Sequence, residues 1–268
     1  MADSAEWEQL PAASRQAVER HTGPVAGASP GGQGVSTDIR LILRTESGGV
    51  FIKGTGPDAG DLERGRLALG AALASHVTPL GPPLLFRVQA DGWDITGWPA
   101  LPGRPADLTP GSADIPKLTG LLAELGTIRA PDDVPMRSVR EDWGNFTDNP
   151  ALLDGNSLVH TDPHGGNFIV DGNQAWLLDW GWAMRGPAWI SAVRFILFLM
   201  EAGWKPAAAE KVVTRVPAWA DTPADVISAH AVSSIPSWER AVRRQPGNDG
   251  LRRWLGLARA WGEYRERA

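Results

Sequence analysis

One strand-like island, Ser157 to Trp182, interrupts a second half that otherwise reads as helix, and it constrains the fold more than any other stretch. It reads SLVHTDPHGGNFIVDGNQAWLLDWGW. A polar loop, His160 to Asn167, runs into a strand at Phe168–Val170, a turn at Asp171-Gly172-Asn173 and a second strand at Ala175–Leu178. Asp-Gly-Asn between two apolar runs is a hairpin signal. With the turn centred near residue 173, Asn167 and Asp179 are expected to face each other at the open end of the hairpin, at the ~5 Å of a cross-strand pair. An amide oxygen beside a carboxylate is a hard oxygen pair suited to Mg²⁺. Asp162 lies on the loop that feeds the same end. A single Asp at a strand end is most often a turn former or cap. The set His-x-Asp-x₄-Asn, hairpin, Asp is what carries weight, each member in the structural context its chemistry needs.

The rest of the chain frames the island. Residues 1–20 alternate apolar and charged at helical spacing, and the Gly- and Ser-rich run His21–Ser36 reads as loop. Asp38–Arg44 and Val50–Lys53 are strand-like around a turn at Glu46-Ser47-Gly48-Gly49. Asp58–Val77 reads as an amphipathic helix whose first turn holds Asp58, Asp61 and Glu63. A second strand pair follows at Leu84–Val88 and Trp93–Gly97, then a Pro-rich linker at Trp98–Pro105. Helical patterning resumes at Asp114–Ile128 and over much of Ala188–Ala268. There is no internal repeat. The expected class is α+β: a small β-rich lobe over 1–98, a hinge at 99–105, and a larger, mainly helical lobe over 106–268.

Composition removes several alternatives. With no Cys there is no disulfide, thiol nucleophile or thiolate zinc site. A net charge of −5 gives no global basic field for nucleic acid or an anionic membrane, so neither is expected as a partner. The longest apolar run, Phe195–Met200, is far too short to cross a bilayer. The acidic N-terminal stretch has no apolar core of a signal peptide, so the expected location is the cytoplasm. The 26 basic residues divide into 22 Arg and only 4 Lys, which makes each Lys worth inspecting. Lys53 ends the strand VFIK. That strand is the second of the sheet, or the third if Pro24–Ala28 also forms one.

His160-Thr161-Asp162 with Asn167 resembles the catalytic loop of protein kinases and, more closely, of aminoglycoside phosphotransferases of the actinobacterial type. Asp179, in Leu-Leu-Asp-Trp, is similar to their metal-binding Asp. The resemblance implies a bilobal, protein-kinase-like fold and transfer of the ATP γ-phosphoryl to a hydroxyl. Asp162 would orient or deprotonate that hydroxyl, Asn167 and Asp179 would hold Mg²⁺, and His160 would pin the loop. Lys53 would reach the nucleotide phosphates, with Glu63 as its acidic partner and Asp58 and Asp61 as competitors. Gly31, Gly32 and Gly34 would offer backbone N–H groups to phosphates, although Ala28-Ser-Pro-Gly-Gly-Gln-Gly34 is not Gly-x-Gly-x-x-Gly and an ordinary loop is nearly as good a reading. Pro99 and Pro102 have no N–H, so Ala100 or Leu101 would donate to adenine.

The resemblance names no acceptor. A small-molecule hydroxyl, on an antibiotic or a biosynthetic intermediate, is the main expectation; a Ser or Thr of a peptide is the alternative. Of the 13 Trp, three precede residue 100 and ten follow it, in the lobe that would grip the acceptor. Glu141, Asp142 and Asp148 are a candidate grip for a polycation, while the Arg-rich run Leu251–Arg267 argues the other way. Two readings of different class stand beside this one. One is a metal-dependent hydrolase using His160, Asp162 and His164, which would share a face if the segment were extended. The other is a kinase-like fold that only binds. Oligomeric state is not legible.

Overall fold

A computed structural model of the chain describes residues 5–32, 37–78 and 80–267. The chain divides into two compact units: Met1–Gly103 with Leu178–Trp182, and Arg104–Leu177 with Ala183–Ala268.

The first unit is built on a sheet. Helices α1 (Ala5–Gln9) and α2 (Ala12–Thr22) precede strands β1 (Gly27–Pro30), β2 (Ile39–Thr45) and β3 (Gly48–Thr55). Helix α3 (Asp61–Leu73) and strands β4 (Phe86–Ala90) and β5 (Trp93–Pro99) complete it. The five strands pair in the order β1-β2-β3-β5-β4, every pair antiparallel. Alternation decides the two faces. Leu41, Leu43, Val50, Ile52 and Ile95 are buried with Trp7, Leu10 and Val18 of the N-terminal helices, so one face of the sheet is the core. Arg40 and Lys53 are direct cross-strand partners on the other face. The segment 27–30, expected as loop, is the edge strand β1, which makes Lys53 a third-strand residue. The Leu178–Trp182 segment packs on α3: Gly181 lies under the Arg66 carbonyl, and the Arg66 guanidinium sits 3.3 Å above the Trp182 ring.

The second unit is mainly helical. It contains β6 (Arg104–Pro105), α4 (Ile115–Leu125), α5 (Val139–Trp143), β7 (Ser157–Val159), β8 (Phe168–Asp171), β9 (Gln174–Leu177) and β10 (Met184–Gly186). Six helices follow: α6 (Trp189–Glu201), α7 (Pro206–Val213), α8 (Pro217–Ala220), α9 (Ala224–Ser233), α10 (Ile235–Arg244) and α11 (Asp249–Arg267). Helix α6 is apolar on nearly all sides and forms the centre of this unit, with Ile190, Val193, Phe195, Ile196 and Leu199 buried. Two small sheets, β6-β8-β9 and β10-β7, are joined by the polar loop, which runs from β7 to β8. The hairpin forms as expected, with Phe168 opposite Leu177 and Asp171 opposite Gln174. Its turn is the two residues Gly172-Asn173, so paired positions sum to 345 and not 346. This one-residue shift removes the register argument that set Asn167 directly opposite Asp179. No helix among the described residues is long and apolar enough to cross a membrane.

Candidate active site

Two clusters of polar side chains stand out, one in each unit. The first is on the non-core face of the sheet. Lys53 Nζ donates to Asp179 Oδ1 at 2.8 Å, and Arg40 Nη2 donates to Asp179 Oδ2 at 3.1 Å. All three side chains are mostly shielded: 10% exposed for Lys53, 17% for Arg40 and 19% for Asp179. Asp179 adopts a left-handed backbone with φ 62°. Its carboxylate therefore holds together two strands and a segment more than a hundred residues away in sequence. Arg40 was not foreseen as a site residue. Its signal was available only through the β2–β3 register, which sets it opposite Lys53.

Several expectations for this unit are corrected. Glu63 is not the ion-pair partner of Lys53; that partner is Asp179, and the Glu63 carboxylate lies beside Gly60 at the start of α3. The Ala100 N–H donates to the Gly49 carbonyl at 3.0 Å, extending the β3–β5 ladder, so it is not available to a nucleobase. Leu101 is left as the candidate donor of that pair. The Gly31 N–H is likewise spent, on the Arg40 carbonyl at 2.8 Å, and the reason for glycine there is contact with the Phe51 ring. Gly32 has φ 96° and open space where a Cβ would be, which suits a backbone that approaches a ligand. Gly34 lies outside the described residues.

The second cluster is the loop His160–Asn167. His160 is 1% exposed, and Asn167 is also buried. The His160 N–H donates to Ser191 Oγ of α6 at 3.1 Å, and the Asp162 N–H donates to His160 Nδ1 at 3.3 Å. Asn167 Nδ2 donates to the Asp162 carbonyl at 2.8 Å and approaches Asp162 Oδ2 at 3.4 Å. The Thr161 carbonyl accepts from Arg194 Nε at 2.7 Å. Gly165 packs against the Ala106 carbonyl, where a Cβ would clash. The loop is thus fastened from four sides, while the Asp162 side chain itself stays 35% exposed. Ser191 and Arg194 were not foreseen, because both sit in an apolar helix pattern that reads only as core.

The donor chemistry fits Mg²⁺. Asp179 offers a carboxylate, and Asn167, with its amide nitrogen committed to Asp162, offers its amide oxygen. The hydrolase arrangement does not fit. Among the described residues no cluster of three His, Asp or Glu has metal-binding geometry. His160 and His164 each use Nδ1 to accept a backbone N–H, from Asp162 and Gly166.

No protein-family model matches the sequence, and no curated protein does. Solved structures do. An aminoglycoside phosphotransferase from Alicyclobacillus acidocaldarius is similar with a TM-score of 0.64 at 11% identity, covering 97% of this chain and 95% of that one. The choline kinase LicA from Streptococcus pneumoniae, also solved in complex with AMP, gives 0.61 at 13% identity, over 94% and 99%. The macrolide 2′-phosphotransferase MphH from Brachybacterium faecium gives 0.52 at 19% identity, over 84% and 89%. The chain has the aminoglycoside-phosphotransferase-like form of the protein-kinase-like fold.

Proposed function

We propose that the protein is an ATP-dependent phosphotransferase that moves the γ-phosphoryl group to a hydroxyl of a small molecule. One observation carries this reading: the Asp162 side chain stays partly exposed on a loop fastened by hydrogen bonds, which is how a group that must meet an acceptor hydroxyl is presented. The pairing of Lys53 and Arg40 with Asp179 supports it, since it concentrates two cations and a carboxylate where phosphates and a divalent ion need them.

Each residue then has a task. Lys53 and Arg40 face the nucleotide phosphates and absorb their negative charge. Leu101 N–H is the remaining candidate donor to adenine, and Gly32 lets backbone approach the phosphates. Asp179 and Asn167 are the residues that would hold Mg²⁺, which would shield charge on the transferring group. Asp162 orients the acceptor hydroxyl in line with the γ-phosphorus and accepts its proton. His160 and Ser191 hold the loop and do not touch the reacting atoms. Transfer needs little covalent help from the protein; positioning and charge stabilisation supply the rate.

The test is a screen of hydroxyl-bearing antibiotics and metabolites for acceptor-dependent ATP consumption, with mass spectrometry for an added phosphate. Asp162→Asn is expected to bind ATP as the wild type does and to lose transfer by about 10²–10⁴-fold, the range for a positioned acid–base group. Equal transfer by both proteins would remove Asp162 from the mechanism. Nucleotide binding with no transfer to any hydroxyl compound would favour the binding-only reading.

A further inference from the structure

Beside Asp162, the helical unit carries an arginine that the proposed chemistry does not use. Arg194 lies on α6 and is only partly exposed. Its Nε is committed to the Thr161 carbonyl, which fixes the guanidinium one residue from Asp162. Its Nη groups have no hydrogen-bond or ion-pair partner among the described residues, and burial lowers its pKa to about 10 against the opposing pull of the Asp162 charge. Three rings surround the guanidinium: Trp238 at 5.4 Å, Trp254 at 5.6 Å and Phe198 at 5.9 Å. Trp238 and Trp254 are stacked at 5.5 Å and are both partly exposed. The wall continues to the loop, because His164 packs on Phe198 at 5.8 Å and its Nε2 lies 3.8 Å from Asp162 Oδ2.

The charge of the surroundings points one way. Residues 189–267 hold 12 cationic and 8 anionic side chains, a net +4 in a chain whose net charge is −5. Several carboxylates that could grip a polycation are already engaged, although Asp148 is not among them. Glu141 closes a capping box on Ser138, Asp142 is ion-paired with Arg137, Glu210 with Arg265, and Glu239 with Arg259. Beside the loop, an ammonium-rich ligand would meet the Arg194 guanidinium, whose charged neighbour is Asp162. A ring bearing an anionic group would stack on Trp238 and Trp254 and pair with the Nη groups, leaving a hydroxyl on the far side for Asp162.

Resting on the phosphotransferase reading, we propose that Arg194, Trp238, Trp254, Phe198 and His164 form the acceptor subsite, and that it takes a planar, ring-bearing hydroxy compound with a carboxylate or other anionic group, in preference to a polycationic aminoglycoside. Arg194 is its specificity-determining residue.

A matched series tests this on the ATP-free protein by calorimetric titration. 4-Hydroxyphenylacetate, tyrosol and tyramine share one hydroxyphenyl ring and carry an anion, a neutral alcohol and a cation. The expected order of affinity is 4-hydroxyphenylacetate, then tyrosol, then tyramine, with about tenfold or more between the ends, the worth of one charge-assisted hydrogen bond. Arg194→Gln is expected to erase the order, and Arg194→Lys to keep it in part. Trp254→Leu is expected to weaken all three. Tyramine binding as tightly as 4-hydroxyphenylacetate, or no saturable binding of the anion, overturns the proposal. So does an Arg194→Gln variant that folds and loses all three equally, since that is the mark of a merely structural arginine. The two layers fail separately. An anion preference without phosphate transfer to any acceptor would sink the kinase reading and leave the subsite; transfer to an aminoglycoside without anion preference would do the reverse.

Discussion

Replacing Asp179 should damage the protein more than replacing the lysine it binds. In the wild type one carboxylate takes Lys53 at 2.8 Å and Arg40 at 3.1 Å, all three side chains being less than a fifth exposed. Asp179→Asn leaves two shielded cations, direct cross-strand neighbours, with no charge between them. Breaking a buried pair in this way costs about 3–5 kcal/mol. Lys53→Met leaves Asp179 paired with Arg40, so the loss is one charge-assisted hydrogen bond, about 1.5–3 kcal/mol. Asn tolerates the left-handed backbone at φ 62°, so strain adds little to the difference. The gap of about 2 kcal/mol should appear as a melting temperature about 4–8 °C lower for Asp179→Asn, at the roughly 2–4 °C per kcal/mol of a chain this size. Differential scanning fluorimetry reads it directly. Metal-free pyrophosphate should then raise the melting temperature of Asp179→Asn more than that of the wild type, because no carboxylate competes with the anion for Lys53 and Arg40. If the two variants melt together, or if pyrophosphate rescues neither, the three-residue cluster is not the charge centre described.

Other parts of the structure make further predictions. His230 is buried against Trp189 and Trp143, and burial, reinforced by the Arg194 charge, lowers its pKa to about 4. The unfolded chain therefore binds more protons between about pH 4 and 6.5, and stability should fall by about 3 kcal/mol as pH drops through that window; urea unfolding should show the fall in wild type and much less of it in His230→Phe. Ser191→Ala removes the acceptor of the buried His160 N–H and should cost about 1–3 kcal/mol in urea unfolding, with kcat falling more than KM changes. Gly97 faces Phe86 across β4–β5, where a Cβ would enter the ring, so Gly97→Ala should cost about 1–3 kcal/mol; Phe86→Leu in the same chain should recover part of it, and additive losses would refute the contact.

What the sequence revealed, and what it hid, follows from where each signal resides. The polar loop and hairpin were legible because turn residues and β-branched or aromatic runs are local signals. The hairpin register was not, because Asp171-Gly172-Asn173 offers two choices of central pair and only packing selects between them. The edge strand β1 is Gly-Ala-Ser-Pro, a composition that opposes strand, and it forms only because β2 offers an unpaired edge. Backbone donors at Gly31 and Ala100 could not be assigned in advance, since ladder extension is a tertiary fact. Lys53 stood out because the chain has 4 Lys; Arg40 did not, because it is one of 22 Arg. The same bias that exposed one cation concealed its neighbour, and also concealed Arg194.

The backbone conformation at Asp179 accords with the role proposed for it. Among the described non-glycine residues, only Asp91 and Asp179 have a left-handed φ. Asp91 precedes Gly92 in the tight β4–β5 turn, where such a conformation is required and Asp is well tolerated. Asp179 lies in no hairpin turn. It follows β9 and leads into the Trp180–Trp182 segment, where Gly181 must pass under the Arg66 carbonyl. Glycine or asparagine would adopt the same backbone as cheaply or more so. Neither brings a negative charge to Lys53 and Arg40. A position whose backbone favours other residues, yet carries a carboxylate bound to two cations, fits the proposed role in holding a divalent ion better than a purely structural one.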